Sequence, residues 1–198
     1  MWYWFLLGPG SSVPPSLWYN IAMDYYSLKQ DLALVDKQNN VIGRMDKWEA
    51  HEKGILHRAF TVALIYQDSF LLQHRKHPVF DGVYDLTCSS HPVYANDKLQ
   101  TNEAAVSAAL LREWGIESSS VSELRDLGSV YYQAKDPRSK YQEHEICHLI
   151  QGKITHLPTP NSDFAYGFSL LNRKNLLDKK QPIRMAFAPW VPLLLDLL

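Results

Sequence analysis

The 198-residue chain contains few cysteines and no excess of charge of either sign. Its two cysteines, Cys88 and Cys147, are too few for the disulfide framework of a small secreted domain, so we expect a protein of the reducing cytoplasm. The formal net charge is −1 at pH 7. Because this balance does not attract polyanions, we expect neither nucleic acid nor a membrane surface as a partner.

Long hydrophobic runs are also missing. The apolar stretches at residues 1–7 and 188–195 are shorter than the roughly 20 residues that a membrane span needs, and the first lacks the basic start of a signal peptide. We therefore expect residues 1–28 to form a disordered or packed extension and residues 29–198 to form one domain. A monomer or a weak dimer is the expected assembly.

The remaining pattern predicts strands interleaved with few helices, which is typical of an α/β (α+β) domain. A turn at residues 37–40 predicts a hairpin between residues 32–35 and 41–43. Residues 102–115 form the best-defined predicted helix, because Thr101 or Asn102 can cap its start and Gly115 can end it. The other predicted strands are residues 58–66, 70–74, 129–133 and 143–150, and the other predicted helices are residues 170–177 and 188–198.

Carboxylates stand out in two of these elements. Glu113 follows Val106 by seven residues and Ala109 by four, so it lies on the apolar face of the predicted helix. A carboxylate there is paired, binds a cation, or reaches water at the helix end. Glu143 and Glu145 share one face of a strand, and like charges side by side repel unless a cation lies between them. A solvated edge strand is the alternative for this pair.

Three histidines complete a candidate metal site. His51 and His57 flank residues 52–56, and His91 follows Ser89-Ser90. Together with two carboxylates they would provide nitrogen and oxygen ligands suited to Mn²⁺, Mg²⁺ or Zn²⁺. No HxH or HExxH spacing joins them, so each histidine could equally be a surface or hydrogen-bonded residue.

Six segments, in their order along the chain, resemble type 1 isopentenyl-diphosphate isomerases, a branch of the Nudix superfamily. They are ILHRAF at residues 55–60, LLQHR at 71–75, TCSSHP at 87–92, REWGI at 112–116, EHEIC at 143–147 and MAFAPW at 185–190. The resemblance runs from residue 32 to the C-terminus. It implies a Nudix-like mixed β-sheet flanked by helices, and it implies isomerisation of isopentenyl diphosphate to dimethylallyl diphosphate in isoprenoid biosynthesis.

The resemblance also implies a site. The substrate would be a small prenyl diphosphate, and the cofactors would be Mg²⁺ and a second divalent metal, Mn²⁺ or Zn²⁺. Glu113 would help to hold the Mg²⁺ that bridges to the diphosphate, and Arg75 would contact the diphosphate, whose oxygens suit a guanidinium fork. The catalytic positions would be Ser89, Tyr132 and Glu145, with Glu145 moving a proton at one face of the alkene. The implied ligands of the second metal are His51, His57, His91, Glu143 and Glu145.

The chain departs from the family pattern at three places. Ser89 occupies the position of a catalytic cysteine, and a hydroxyl cannot supply a thiolate at neutral pH. Cys88 is next to it but would face the opposite way in an extended segment. Met185 replaces a tryptophan that would offer a π surface to the cationic intermediate, and the loop at residues 75–82 is short and lacks the family's lysine at the matching place. We therefore expect impaired turnover.

Two alternative functions remain open at this point. A Nudix pyrophosphohydrolase clusters Mg²⁺ with an Arg-Glu and a Glu-Glu pair on one helix, but residues 108–113 keep one glutamate, which makes a poor hydrolytic cluster. A catalytically silent protein that binds a metal or a prenyl diphosphate is favoured by Ser89. It is opposed by the retention of all five implied ligands of the second metal.

Overall fold

The structure is a computed structural model that describes residues 25–198, so most of the predicted extension, residues 1–24, lies outside the described residues. The strands are β1 (Asp31–Val35), β2 (Val41–Asp46), β3 (His57–Tyr66), β4 (Ser69–Arg75), β5 (Tyr84–Asp85), β6 (Cys88–Ser90), β7 (Tyr94–Ala95), β8 (Lys98–Leu99), β9 (Val121–Lys135), β10 (Gln142–Ile154) and β11 (Ala165–Asn172). The helices are α1 (Lys47–Lys53), α2 (Asn102–Trp114), α3 (Arg173–Leu177) and α4 (Val191–Leu194). Three 3-10 turns lie at Ser118–Ser120, Pro182–Ala186 and Leu195–Leu197.

The apolar strand β3 lies at the centre of the main sheet. Along one edge it pairs in parallel with β10 over its whole length. Its other edge is shared by β1, β6 and β4, each over a different part of the strand. β9 pairs antiparallel with β10, β2 with β1, and β11 with β4. The sheet is therefore mixed.

Alternation of side chains along β3 separates two cores. Phe60, Val62 and Leu64 are fully buried against α2. Ala59 and Ala63 face the other way, toward a core that the C-terminal segment completes. Burying each large apolar side chain stabilises the fold by about 1.5–3 kcal/mol. The predicted fold class, a mixed sheet flanked by helices in a single domain, is confirmed.

The helix α2 matches its prediction. The Thr101 hydroxyl oxygen accepts a hydrogen bond from the Ala104 backbone N–H, and Gly115 ends the helix in the left-handed region at φ 64°. Its apolar stripe, which includes Val106, packs on the sheet, and Glu113 is buried on the same side.

Two predicted elements need correction. The predicted helix at residues 170–177 is wrong in its first part, because those residues continue β11 and Leu171 pairs with Phe70 of β4. The helix α3 begins only at Arg173. Asn172 caps its start, because its side chain accepts a hydrogen bond from Asn175 N. The predicted helix at residues 188–198 is reduced to α4 and one 3-10 turn. Among the described residues, no helix has both the length and the apolar character needed to cross a membrane.

Candidate active site

Strand register brings together residues that are far apart in the sequence. Glu145 of β10 lies opposite His57 of β3 on one side and opposite Tyr132 of β9 on the other. Glu143, two residues earlier on β10, projects from the same face. These side chains lie beside the core that faces the C-terminal segment, and Glu143 and Glu145 are both buried.

The remaining two histidines come from α1 and from the segment after β6. The Asp46 carboxylate caps α1 by accepting hydrogen bonds from Trp48 N and Glu49 N, and Gly54, at φ 62°, ends the helix so that the chain can enter β3. This short helix fixes His51, which is fully buried. His91 follows β6 directly. One donor atom from each of five residues then lies within 4.8 Å of every other: His51, His57, His91, Glu143 and Glu145.

Hydrogen bonds to main-chain carbonyls set the tautomers of two of these histidines. His51 Nδ1 lies 2.6 Å from Lys47 O, and His57 Nδ1 lies 2.7 Å from Ile55 O. A carbonyl oxygen only accepts, so each Nδ1 donates. In the neutral ring Nε2 then carries a free lone pair, which is the form that ligates a metal.

The pattern of unpaired atoms fits a cation at the centre of this cluster. His51 Nε2 lies 2.9 Å from Glu143 Oε2, yet neither atom has an aligned hydrogen bond within residues 25–198, and the same holds for His57 Nε2. Buried polar atoms without partners are costly in a native fold. Their lone pairs converge on one point, and three nitrogens with two carboxylates suit a divalent metal.

Glu145 connects the cluster to a phenol. Its Oε1 lies 2.9 Å from His91 Nε2, and its Oε2 accepts a short hydrogen bond from the Tyr132 hydroxyl. Burial raises the pKa of Glu145, but the interactions with His57 and Tyr132 outweigh it and leave a lowered pKa. Burial, together with the charge of Glu145, raises the pKa of Tyr132 well above its usual value. The pair is therefore an ionised carboxylate beside a neutral phenol.

A cavity opens beside the cluster, and its empty volume of about 390 Å³ includes space that is open to solvent. The cavity has carboxylates and histidines on one side and three cations, Lys47, Arg75 and Arg112, among its other walls. It is lined by Tyr25, Tyr26, Lys47, Arg75, His77, Ser89, Ser90, His91, Arg112, Glu113, Tyr132, Glu143, Glu145 and Trp190.

The structure places Glu113 on the wall of this cavity, outside the five-residue cluster. Arg112 donates to Glu113 Oε1 at 2.7 Å, and the Gln73 amide donates to Glu113 Oε2 at 3.1 Å. Both carboxylate oxygens thus have donors. The Arg112 guanidinium also lies 4.1 Å from the centroid of the Tyr25 ring, which extends the described N-terminal residues over the cavity.

Arg75 is also on the cavity wall, but its fork is largely used within the protein. It donates to Asp85 Oδ2 at 3.0 Å and to Val79 O at 3.3 Å, and it packs against the Trp190 ring. Its Nε has no aligned partner among the described residues. Arg75 therefore keeps an unpaired Nε–H and its positive charge on the cavity wall.

The register of β6 against β3 separates Ser89 from Cys88. Ser89 pairs with Thr61 and faces the cavity, whereas Cys88 pairs with Val62 and is fully buried in the core under α2. Burial raises the pKa of the Cys88 thiol well above its usual value. Cys88 is therefore an unreactive core residue. This agrees with the prediction that its side chain faces the opposite way from that of Ser89. Met185, at the position of the absent tryptophan, is 90% exposed and is not among the residues that line the cavity.

Every predicted site residue lies in the cluster or on the cavity wall. Sequence reasoning missed Lys47, Arg112 and Trp190. Lys47 had a usable signal, because it precedes His51 by four residues and so shares its helix face. Its ammonium is surrounded by the rings of Tyr25, Tyr26 and Trp48 at 5.2–5.9 Å. No carboxylate of residues 25–198 forms an ion pair with it, so this buried cation is available to an anion.

The chain is similar to isomerases from several organisms, although no protein-family model matches it. Isopentenyl-diphosphate Delta-isomerase 1 of Mesocricetus auratus is 31% identical over 181 residues, which cover 82% of this chain and 79% of that protein. The isopentenyl-diphosphate Delta-isomerase of Serratia proteamaculans is 30% identical over 80% of this chain and 86% of that protein. That of Streptomyces griseus is 32% identical over 83% and 81%.

Solved structures agree with the fold. DR0079 from Deinococcus radiodurans has a TM-score of 0.63 at 18% identity and covers 84% of this chain and 97% of its own. A MutT NUDIX hydrolase from Burkholderia pseudomallei has a TM-score of 0.51 at 19% identity and covers 72% and 98%. At these identities the likeness concerns the fold alone.

Proposed function

The chain belongs to the isopentenyl-diphosphate Delta-isomerase family, and on that premise we propose that it converts isopentenyl diphosphate to dimethylallyl diphosphate. The observation that carries the proposal is the convergence of five buried donor atoms beside a cavity whose other walls hold Lys47, Arg75 and Arg112. An anionic head group needs cations around it, and an alkene that becomes cationic needs carboxylates nearby. The walls of this cavity provide both kinds of group.

The three histidines and two glutamates of the cluster would hold Mn²⁺ or Zn²⁺. Glu113 would help to hold Mg²⁺, and Arg112, which pairs with Glu113 in this structure, would bind phosphate oxygens. When bound, the metals would fix the cluster's carboxylates and neutralise the phosphate charge.

Charge orients the substrate in this proposal. Lys47 and Arg112 would take the diphosphate, because cations form their strongest hydrogen bonds with such oxygens. The short hydrocarbon part would then point to Ser89, Tyr132 and Glu145. Trp190 and Tyr132 are almost fully buried and their ring centroids lie 5.7 Å apart, so they would exclude water from the cationic intermediate.

Moving the double bond requires one proton to be added and another to be removed. The Tyr132 hydroxyl donates a hydrogen bond to Glu145 at one wall, which supports a role for this pair in proton transfer. Ser89 stands at another wall as the second proton-transfer position. Because its hydroxyl cannot ionise near neutral pH, we expect slower turnover than a thiol would give.

A pyrophosphohydrolase is not favoured, because Glu113 is the one carboxylate that α2 contributes to the cavity. The proposal is tested by incubating metal-loaded protein with isopentenyl diphosphate and measuring dimethylallyl diphosphate, with Glu145→Gln as the inactive comparison. Turnover in the unaltered protein and its loss in Glu145→Gln are expected. Tight binding of the substrate without conversion would instead support a silent binding protein.

A further inference from the structure

The strand β11 has one edge that pairs with no other strand of residues 25–198. It pairs with β4 alone and ends the sheet on that side. The Gln73 main-chain N–H donates to Leu86 O, on the side of β4 away from β11. Because Gln73 lies opposite Phe168, the N–H and C=O of Phe168 point away from β4, to the outer edge. Such an edge is a template for a further strand.

The side chains along this edge are apolar and carry no charge. Tyr166, Phe168 and Leu170 alternate on one face of β11, and each is 37–56% exposed. Residues 165–172 include no charged residue, whereas β2 and β9, which also lie at edges of the sheet, contain charges of both signs. Charged side chains on an exposed edge prevent pairing with another chain. Their absence from β11 indicates that this edge receives a partner.

We propose that the free edge of β11 pairs antiparallel with β11 of a second copy of the chain, about a two-fold axis beside Phe168. Phe168 then lies opposite its own counterpart, and the two residues exchange both of their main-chain hydrogen bonds. In the same register Tyr166 of each copy lies opposite Leu170 of the other. The apolar stripe is therefore complementary to itself, as a two-fold interface requires.

Charges at the two ends of β11 favour the same register. Asp163 precedes the strand, Arg173 follows it, and the two lie equally far along the chain from Phe168. Antiparallel pairing centred on Phe168 brings the Asp163 of each copy to the same end as the Arg173 of the other. The Asp163 carboxylate forms no ion pair within residues 25–198. Arg173 donates to the Leu198 carbonyl and has further N–H groups to offer.

The apolar surface extends from β11 to the end of α2. The Phe168 and Trp114 rings meet edge to face with centroids 6.0 Å apart, and Leu111 is 46% exposed on the same helix. One strand pair with a short apolar stripe is a small interface, of the kind that associates reversibly. We therefore expect a dimer that forms as the protein concentration rises.

Two charge reversals test the register. Asp163→Arg and Arg173→Asp each place like charges at both ends of a homodimer. Each should weaken dimerisation about tenfold, measured by analytical ultracentrifugation of the full chain from about 1 μM to about 1 mM. Mixing the two variants restores opposite charges at both ends, so the mixed dimer should associate as tightly as the unaltered protein. Lys98→Glu, a charge reversal on the β7–β8 hairpin, is the control and should have no effect.

Recovery on mixing separates a lost contact from a damaged fold, since each chain in the mixture still carries its own substitution. The Tm of each variant, measured under dilute conditions, should match that of the unaltered protein. A protein that stays monomeric up to about 1 mM would overturn the proposal and leave the edge to another occupant, such as residues 1–24. Dimerisation that neither reversal weakens, or that mixing fails to restore, would also overturn it by placing the interface elsewhere.

Discussion

Glu145 lies opposite His57 in the parallel pairing of β10 with β3, and Glu145 Oε1 comes within 3.5 Å of His57 Nε2. The donor cluster is therefore a product of sheet register. Since side chains alternate with a period of two, a slip of one residue in β10 would move Glu143 and Glu145 to the opposite face, under α2. The long apolar continuation of β10, to Ile154, protects the site against such a slip.

The unpaired atoms of the cluster predict that a divalent metal stabilises the fold. After removal of metal with a chelator, adding Mn²⁺ or Zn²⁺ at about 100 times its dissociation constant should stabilise the protein by about 2.7 kcal/mol, or a rise in Tm of about 5–10 °C. Glu143→Gln should remove most of this rise. His156→Ala, an exposed histidine outside the cluster, is the control and should retain it. A full rise in Glu143→Gln would exclude Glu143 as a ligand.

The identity of residue 89 predicts the rate of isomerisation. Ser89→Cys should raise turnover, because a thiol exchanges a proton near neutral pH more readily than a hydroxyl does. Cys88→Ala should leave turnover nearly unchanged, because Cys88 faces the core under α2. Steady-state kinetics of both variants would check this. Loss of turnover in Cys88→Ala with no gain in Ser89→Cys would mean that Cys88 carries the chemistry.

The periodicity of strands and helices was enough to predict which site residues share a face within one element. Glu143 and Glu145 share a face because a strand has a period of two, and Glu113 lies on the apolar side of α2 because a helix has a period near 3.6. The helix α1 was missed although its start carried a signal. Asp46 followed three residues later by Glu49 resembles a helix-capping pair, and recognising it would also have placed Lys47 beside His51.

The partners of Arg75 could not be predicted from sequence periodicity. Its ion pair with Asp85 depends on β5 folding back on β4, where Tyr84 lies opposite His74. The position of Trp190 depends on the C-terminal segment packing across the sheet. Both are long-range contacts, and no local spacing encodes them. The extended conformation of residues 165–172 likewise depends on their pairing with β4 and not on their own composition.

The free charge of Lys47 predicts that it anchors the diphosphate. Lys47→Met keeps the apolar stem against the surrounding rings and removes the ammonium. We expect the affinity for inorganic pyrophosphate, measured by calorimetry, to fall at least about tenfold, as loss of a charged hydrogen bond costs about 1.5–3 kcal/mol. Lys140→Met removes an exposed ammonium that pairs with Glu52 and should have no effect. Equal affinity in Lys47→Met and the unaltered protein would place the diphosphate elsewhere.

Asp136 predicts how stability depends on pH. Burial raises its pKa, but hydrogen bonds from Ser139, Arg138 and Phe80 outweigh this, so its pKa lies below the ordinary 3.8. A lowered folded-state pKa stabilises the fold above pH 3.8, and this contribution is lost as the pH falls through the folded-state value. Asp136→Asn should therefore reduce the free energy of unfolding by about 1–3 kcal/mol at neutral pH.

The same comparison at acid pH is the check on Asp136. Denaturant unfolding of both proteins should give a difference that is constant from pH 5 to 7 and shrinks below pH 3.8. A difference that is independent of pH down to pH 2 would show that the carboxylate charge is not what stabilises the loop.

The most direct test of the isomerase assignment is a single NMR experiment on isopentenyl diphosphate mixed with the metal-loaded protein. Proton spectra report the position of the double bond, and phosphorus spectra report the integrity of the diphosphate. We predict that the terminal alkene signals are replaced by those of dimethylallyl diphosphate while both phosphorus signals persist. Release of phosphate or pyrophosphate with no movement of the double bond would contradict the assignment and make the protein a hydrolase.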